Sequence, residues 1–264
     1  MPPSHLASLQ QHPLVILGAG YTGMRVYRQA IERGWRVFAT SRRPHSHLGT
    51  IPSEHRLRFD LTRTDTWTDI PDPAHLIWCF PATPLDLVQE FLSGRTRQAG
   101  RLLLMGSTSA YLPDEGTITE DTALKTYLPR VQTEECLRTT YGAVIIRLAG
   151  LYGPGRHVCD WIRSGKIQNT KRWVNLLHVE DAAAICLQAL EQASDGSTYL
   201  ASDGCPRTWD EICSVASSRW RVPIPALSSP ENMGKQVSIR KLLTELHYTV
   251  RFPELFQALD HIES

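Results

Sequence analysis

Gly18, Gly20 and Gly23 stand at the spacing a backbone needs to approach a phosphate. They end the run Leu14-Val-Ile-Leu-Gly-Ala-Gly-Tyr-Thr-Gly23, which is apolar without helical period up to the first glycine, and residues 24–33 then take a helical pattern. The order is buried strand, tight turn, helix N-terminus. Gly18 permits the turn, Gly20 lets the backbone reach a pyrophosphate, and Gly23 lets helix and strand pack closely. Tyr21 and Thr22 lie between them, where unpaired N–H groups at the positive end of a helix hold phosphate oxygens. The alternative is an ordinary glycine turn in an α/β protein.

A second set of residues bears on which nucleotide such a turn would take. Where a chain prefers NAD, a carboxylate usually closes the second strand and accepts from the ribose 2′-hydroxyl. Here that strand runs into Thr40-Ser41-Arg42-Arg43, with no acidic residue. Two guanidiniums and a hydroxyl suit a 2′-phosphate, so the expected cofactor is NADP(H). A solvated basic loop is the competing reading. Asp60, after the third strand, is placed either to meet an adenine edge or to cap the turn at Leu61-Thr62.

The elements that must position these residues follow from the hydrophobic pattern. Apolar segments at 36–40, 57–59, 75–80, 101–105 and 143–148 read as strands, with helical patterns between them at 85–92 and 133–139. Apolar strands alternating with helices predict a parallel sheet covered on both faces. Beyond Tyr152-Gly-Pro-Gly155 the pattern loosens. Residues 179–192 read as a helix, 198–200 as a strand, and 209–220 and 239–246 as parts of a small helical lobe. The expected fold is a Rossmann-type, doubly wound α/β domain over 1–154, to which the chain returns at about 177–200. Residues 155–264 form mainly the small C-terminal substrate lobe.

Composition narrows the classes. A net charge of +1 over 264 residues gives no electrostatic footprint for nucleic acid or an anionic membrane. No apolar stretch approaches the roughly 18 residues of a membrane span. Residues 1–13 are polar with no apolar h-region, so a short tail and a cytoplasmic protein are expected. The six cysteines form no CxxC pair, which reads as free thiols in a reducing compartment. His45-Ser-His47 is a lone HxH in a loop, and no metal spacing is seen.

Several stretches together resemble the extended short-chain dehydrogenase/reductase family, particularly its compact, atypical members of the NAD-dependent epimerase/dehydratase kind. They are GAGYTG at 18–23, STSAY at 107–111, RLAGLYGPGR at 147–156, NLLHVEDAA at 175–183 and VSIRKLLTELHYTVRFP at 237–253. They occur in family order across nearly the whole chain. The resemblance implies a Rossmann domain, a small substrate lobe, a cleft between them and a chain that crosses more than once.

It also implies a chemistry. Ser107 matches the family's catalytic Ser/Thr position, and Ser109 a second polar position found in some relatives; a serine turn satisfying its own backbone is the alternative. Aligning Glu135 with the family's helical acid puts Tyr127 at the catalytic tyrosine. Four residues on, where the family carries lysine, stands Val131. A free tyrosine titrates near pH ~10, and valine can neither lower that value nor hold a ribose. Pro129 suggests that the helix begins there and leaves Tyr127 on its approach. The resemblance places Phe80 beside the cofactor and Tyr152 at its nicotinamide end, largely through backbone atoms. Asn175 and Arg156 are positions that could bond substrate, and His178 is expected in a structural hydrogen bond. Three functions stay open: an NADP(H)-dependent oxidoreductase of a small carbonyl, imine or alcohol; an epimerase or dehydratase with tightly held nucleotide; and a non-catalytic NADP(H) sensor. The resemblance, and not any pattern in the residues themselves, also implies a homodimer, the family's common assembly.

Overall fold

The computed structural model describes residues 5–96, 100–112, 114–229 and 232–262. Its centre is a seven-stranded sheet. In chain order the strands are β1 (Leu14–Leu17), β2 (Val37–Ser41), β3 (Arg56–Arg58), β4 (His75–Trp78), β5 (Leu102–Ser107), β6 (Val144–Leu148) and β7 (Thr198–Ala201). In space they run β7-β6-β5-β4-β1-β2-β3. β1 pairs in parallel with both β2 and β4, so the chain reverses its winding on either side of β1. β2 pairs with β3 and β4 with β5, also in parallel. This is the doubly wound Rossmann arrangement expected from the apolar runs. Every residue of β1 and β4 is buried, which is why those segments, His75 apart, are apolar and do not alternate.

The chain divides into two compact units. Unit 1 comprises Met1–Gly106, Lys125–Ile146 and Ala183–Thr198; unit 2 comprises Ser107–Leu124, Arg147–Ala182 and Tyr199–Ser264. Unit 1 holds an aromatic-rich core that includes Phe59, Trp78 and Phe91. Ring centroids in that core lie 5.1 Å apart for Phe59–Phe91 and 6.3 Å for Phe59–Trp78. Unit 2 has its own core around Tyr152, Val158, Ile212 and Leu255.

The helix α1 (Gly23–Glu32) follows β1, and the four-residue helix α2 (Pro44–His47) follows β2. The helix predicted at 133–139 is longer, Pro129–Tyr141, because Pro129 serves as its first residue and Gly142, at φ 66°, ends it. Three short strand pairs in unit 2 escape the sequence pattern: Gly150–Tyr152 with Leu176–His178, Trp173–Val174 with Arg207–Thr208, and Gly116–Ile118 with Lys235–Val237. At two or three residues each, they are too short to show alternation. Among the described residues no helix is long and apolar enough to cross a membrane. Nor does any group of three or more His, Cys, Asp or Glu residues among them sit where it could hold a metal.

Candidate functional site

The glycine turn of unit 1 is built as its spacing demands. Gly18 has φ +83°, a left-handed backbone, and a Cβ there would stand 2.7 Å from Phe80 Cδ1. The turn is tied to β2: Gly18 N–H donates to Thr40 Oγ1 at 2.9 Å and Ala19 N–H to the Thr40 carbonyl at 2.9 Å. At Gly23 a Cβ would meet Gly18 O at 2.9 Å and Ile16 Cγ2 at 3.1 Å, so this glycine lets α1 lie against β1. At Gly20 a Cβ would meet nothing within 4 Å. Thr22 is the residue before the helix.

That open space belongs to a cavity of about 770 Å3, within the usual range for a small-molecule site. Gly18, Gly20 and Tyr21 from the turn, Ser41, Arg42 and His47 from the end of β2 and beyond it, and Asp60 and Phe80 line it. Thr22, Gly23 and Arg43 are not among its lining residues. Arg25 is, with its guanidinium 4.1 Å above the Tyr21 ring and Nη1 donating to the Tyr21 carbonyl at 2.7 Å. Phe80 stacks in a tilted arrangement 5.3 Å from Trp78, which fixes its ring over Gly18.

At the β2 end, Ser41 Oγ accepts the Arg43 N–H at 3.1 Å and lies 3.1 Å from His47 Nδ1. Asp60 Oδ1 accepts from Thr62 Oγ1 at 2.8 Å and Thr62 N–H at 3.0 Å. The capping expectation for Asp60 is therefore realised, and the residue lines the cavity as well. The Thr62 hydroxyl bond, then its amide and the nearby Arg42, hold the Asp60 carboxyl below the usual carboxylate range. Its Oδ2 has no hydrogen bond among the described residues. Cys79, also at the cavity, has its thiol pushed up to about 12 by burial and stays protonated.

In unit 2, Ser107 caps a single 3-10 turn, Thr108–Ala110. Its Oγ accepts the Ser109 N–H at 3.2 Å and lies 2.8 Å from Ser109 Oγ. The two hydroxyls thus form one local pair. Lys235 Nζ donates to the Tyr111 carbonyl at 3.2 Å, bringing an ammonium to the end of this turn. Tyr127, in unit 1, precedes the helix that starts at Pro129 and is 67% exposed, while Val131 is fully buried.

Tyr152 is also fully buried in unit 2, its backbone paired with His178 and its ring 5.2 Å from the His178 ring. Burial, with Asp203 and Asp181 nearby, raises its pKa above the ordinary tyrosine value. With the whole residue buried, neither its ring nor its backbone is open to a ligand here. His178 stacks 3.9 Å from the Phe252 ring and its Nδ1 accepts the Glu180 N–H at 3.3 Å, a structural role. Asn175 is likewise spent on the fold: Nδ2 donates to Lys235 O at 2.7 Å and Oδ1 accepts from Val237 N–H at 2.8 Å. Arg156 is exposed.

The residues that sequence reasoning missed at the cavity are Arg25 and His47. Arg25 sits in the first turn of α1, where it reads as an ordinary surface cation. His47 is brought back to Ser41 by a helix of only four residues, too short to carry a period.

This sheet and turn define a Rossmann-type α/β fold, and the solved structures that share it include proteins of the NAD-dependent epimerase/dehydratase kind. One solved structure, a candidate NAD-dependent epimerase/dehydratase from Methylobacillus flagellatus, superposes with a TM-score of 0.75 at 23% identity. The match covers 95% of this chain and 97% of that one. Another, MoeE5 in complex with UDP-glucose and NAD, gives 0.73 at 18% identity over 94% and 96% of the two chains. In sequence the chain is 25% identical to Protein YeeZ of Escherichia coli (strain K12), across 91% of its own length and 96% of that protein's. No family model matches the chain.

Proposed function

We propose that the protein binds NADP(H) in the cavity over Gly18–Gly20 and acts as a short-chain-type oxidoreductase on a small carbonyl, imine or alcohol. The observation that carries this reading is that Ser41, Arg42 and His47, at the end of β2 and beyond it, all line the cavity, while the carboxylate they share it with, Asp60, comes from beyond β3 and is bonded to Thr62. The residues fit a dinucleotide: space is left open above Gly20, and the cavity volume is of the right order. The relatives named above support a nicotinamide dinucleotide in general, and the Ser41-Arg42 end supports its 2′-phosphorylated form.

In this reading the N-terminus of α1 would hold the pyrophosphate, since the Gly18, Ala19 and Gly20 amides are bonded to Thr40 and within the turn, and Ser41 and Arg42 would hold the 2′-phosphate. Asp60, whose Oδ1 is taken by Thr62, would meet the adenine edge. When bound, the nicotinamide would supply the hydride chemistry, and Ser107 and Ser109, a hydroxyl pair in unit 2, are the groups that would hold a substrate oxygen. The test is a calorimetric titration of nucleotide-stripped protein with NADPH and with NADH. Tighter binding of NADPH supports the reading; absence of binding by either ends it. Loss of reduced-nicotinamide absorbance on adding small carbonyls or imines then tests the redox step, and Ser107→Ala should slow that loss without changing NADPH affinity.

A second reading is favoured by one specific observation. Tyr127 is exposed outside the helix and Val131 is buried inside it, so the pair that would move a proton is not assembled within unit 1. A protein that binds the nucleotide without turning it over would show tight NADPH binding and no substrate-dependent absorbance change.

A further inference from the structure

We propose that His47 is a specificity-determining residue of the nucleotide site, and that its doubly protonated form is what recognises the 2′-phosphate. The inference rests on the reading of the cavity as an NADP(H) site. Its basis is the linkage of three groups at the end of β2. Ser41 Oγ accepts the Arg43 N–H at 3.1 Å and lies 3.1 Å from His47 Nδ1, and both Ser41 and His47 line the cavity beside Arg42.

A serine hydroxyl has one proton to give, and a neutral imidazole has one N–H. If neutral His47 carries its proton on Nε2, Nδ1 is an acceptor and consumes the Ser41 O–H. The hydroxyl then has nothing left for a ligand. If the proton is on Nδ1, it donates to Ser41 Oγ and frees the hydroxyl, but Nε2 then bears a lone pair that a phosphate dianion cannot use. Each neutral tautomer therefore lacks one of the two donors. The imidazolium alone offers both: Nδ1–H holds Ser41 Oγ, the Ser41 O–H is released, and Nε2–H is available together with a full positive charge.

A phosphate dianion stabilises imidazolium over imidazole, so binding of the 2′-phosphate takes up a proton at this site. The unphosphorylated cofactor has no such anion and takes up none. The other charged groups around His47 do not supply this switch between pH ~5 and ~8, where histidine is the side chain that changes charge. Arg42 and Arg43 precede α2 and remain cationic. Of the β3 arginines packed beside it, Arg56 is bound to the Ile51 carbonyl through Nε at 2.5 Å and to the Gly49 carbonyl through Nη2 at 3.1 Å, and Arg58 is exposed. Asp60, also at the cavity, is held ionised by Thr62 and Arg42. His45 shares the helix but does not line the cavity.

The test is calorimetric titration of the full chain with NADPH and NADH at about pH 6 and about pH 8.5, in buffers of different ionisation enthalpy. The expected preference for NADPH is about tenfold greater at the lower pH, with net proton uptake for NADPH only. His47→Gln, at an exposed position, should abolish the histidine share of the uptake and bring the low-pH preference down to its high-pH value. The 2′-phosphate itself titrates near pH ~6 in both proteins, so the difference between wild type and variant isolates the imidazole. Unchanged preference and proton uptake in His47→Gln overturns the proposal. Arg42→Ala at about pH 8.5 separates the two readings. If it lowers the NADPH preference while His47→Gln has no effect at either pH, the NADP(H) site stands and the role of His47 falls. If Arg42→Ala changes nothing, the 2′-phosphate does not lie here and both fall.

Discussion

The three glycines of the turn do different work, and alanine at each should separate stability from binding. Gly20 is outside the left-handed region, and a Cβ there meets nothing within 4 Å. Gly20→Ala should therefore leave stability within about 0.5 kcal/mol, with a small gain from the stiffer unfolded chain. Its methyl would project into the space assigned to the pyrophosphate, so NADPH affinity should drop at least tenfold, about 1.4 kcal/mol. Gly23→Ala inverts the pattern. Its Cβ meets a carbonyl oxygen at 2.9 Å and a buried methyl at 3.1 Å, and neither can swing away without moving β1 or the turn. A cost of about 1–3 kcal/mol is expected, with weakened binding only as a consequence. Gly18→Ala incurs about 1–2 kcal/mol for a left-handed L-residue and displaces Phe80 as well. Urea denaturation monitored by tryptophan fluorescence, paired with NADPH titration, reads both quantities. Wild-type NADPH affinity in Gly20→Ala would refute the placement of the pyrophosphate over this glycine.

Arg42→Ala should weaken NADPH about tenfold or more while leaving NADH within about twofold, measured by titration near neutral pH. Arg43→Ala should do much less, because Arg43 does not line the cavity. Asp203 is buried against Arg207 at 3.2 Å, and burial pushes its pKa up from the ordinary 3.8 to about 6, against the bonds from Cys205 and Arg207. The native state then holds this proton more tightly than the unfolded chain. The group's contribution is largest below pH ~4, declines by on the order of 3 kcal/mol as pH rises to ~6, and is constant above. Denaturation of Asp203→Asn across that window should lack this declining component. Asp181 is fully buried and accepts from Tyr248 Oη at 2.6 Å, Arg251 N–H at 3.0 Å and Phe252 N–H at 3.0 Å. Asp181→Ala orphans all three donors and should cost about 3–5 kcal/mol in denaturation, and Asp181→Asn clearly less.

What the sequence makes legible is what local spacing determines. The glycine turn, the buried strands and the helix start at Pro129 each depend on residues within a few positions of one another. Lys235 reaches the Tyr111 carbonyl only because two three-residue strands, Gly116–Ile118 and Lys235–Val237, pair across more than a hundred intervening residues. No pattern in either segment announces that meeting. Tyr152 is illegible for another reason. In a strand of three residues nothing in the letters says which face is buried, and here it is the tyrosine's face.

Val131 shows how the two kinds of information combine. In sequence it is a missing lysine, a loss at one position of an otherwise intact motif. In the structure the helix begins at Pro129, two residues beyond Tyr127, so tyrosine and position 131 are not one turn apart on a common helical face. Position 131 is moreover fully buried in the first turn of that helix. A lysine there would not restore a proton relay. It would bury an ammonium at a position with no exposure to water, at a cost on the order of several kcal/mol before any pairing with the buried Glu134 three residues on. Val131→Lys should therefore lower stability in denaturation without creating or raising reduced-nicotinamide turnover. A gain of turnover in that variant would mean that Tyr127 and residue 131 do meet in the working protein. Without such a gain, any proton the chain transfers must come from elsewhere, and the Ser107–Ser109 hydroxyls with Lys235 at the end of their turn are the groups in unit 2 positioned to be examined first.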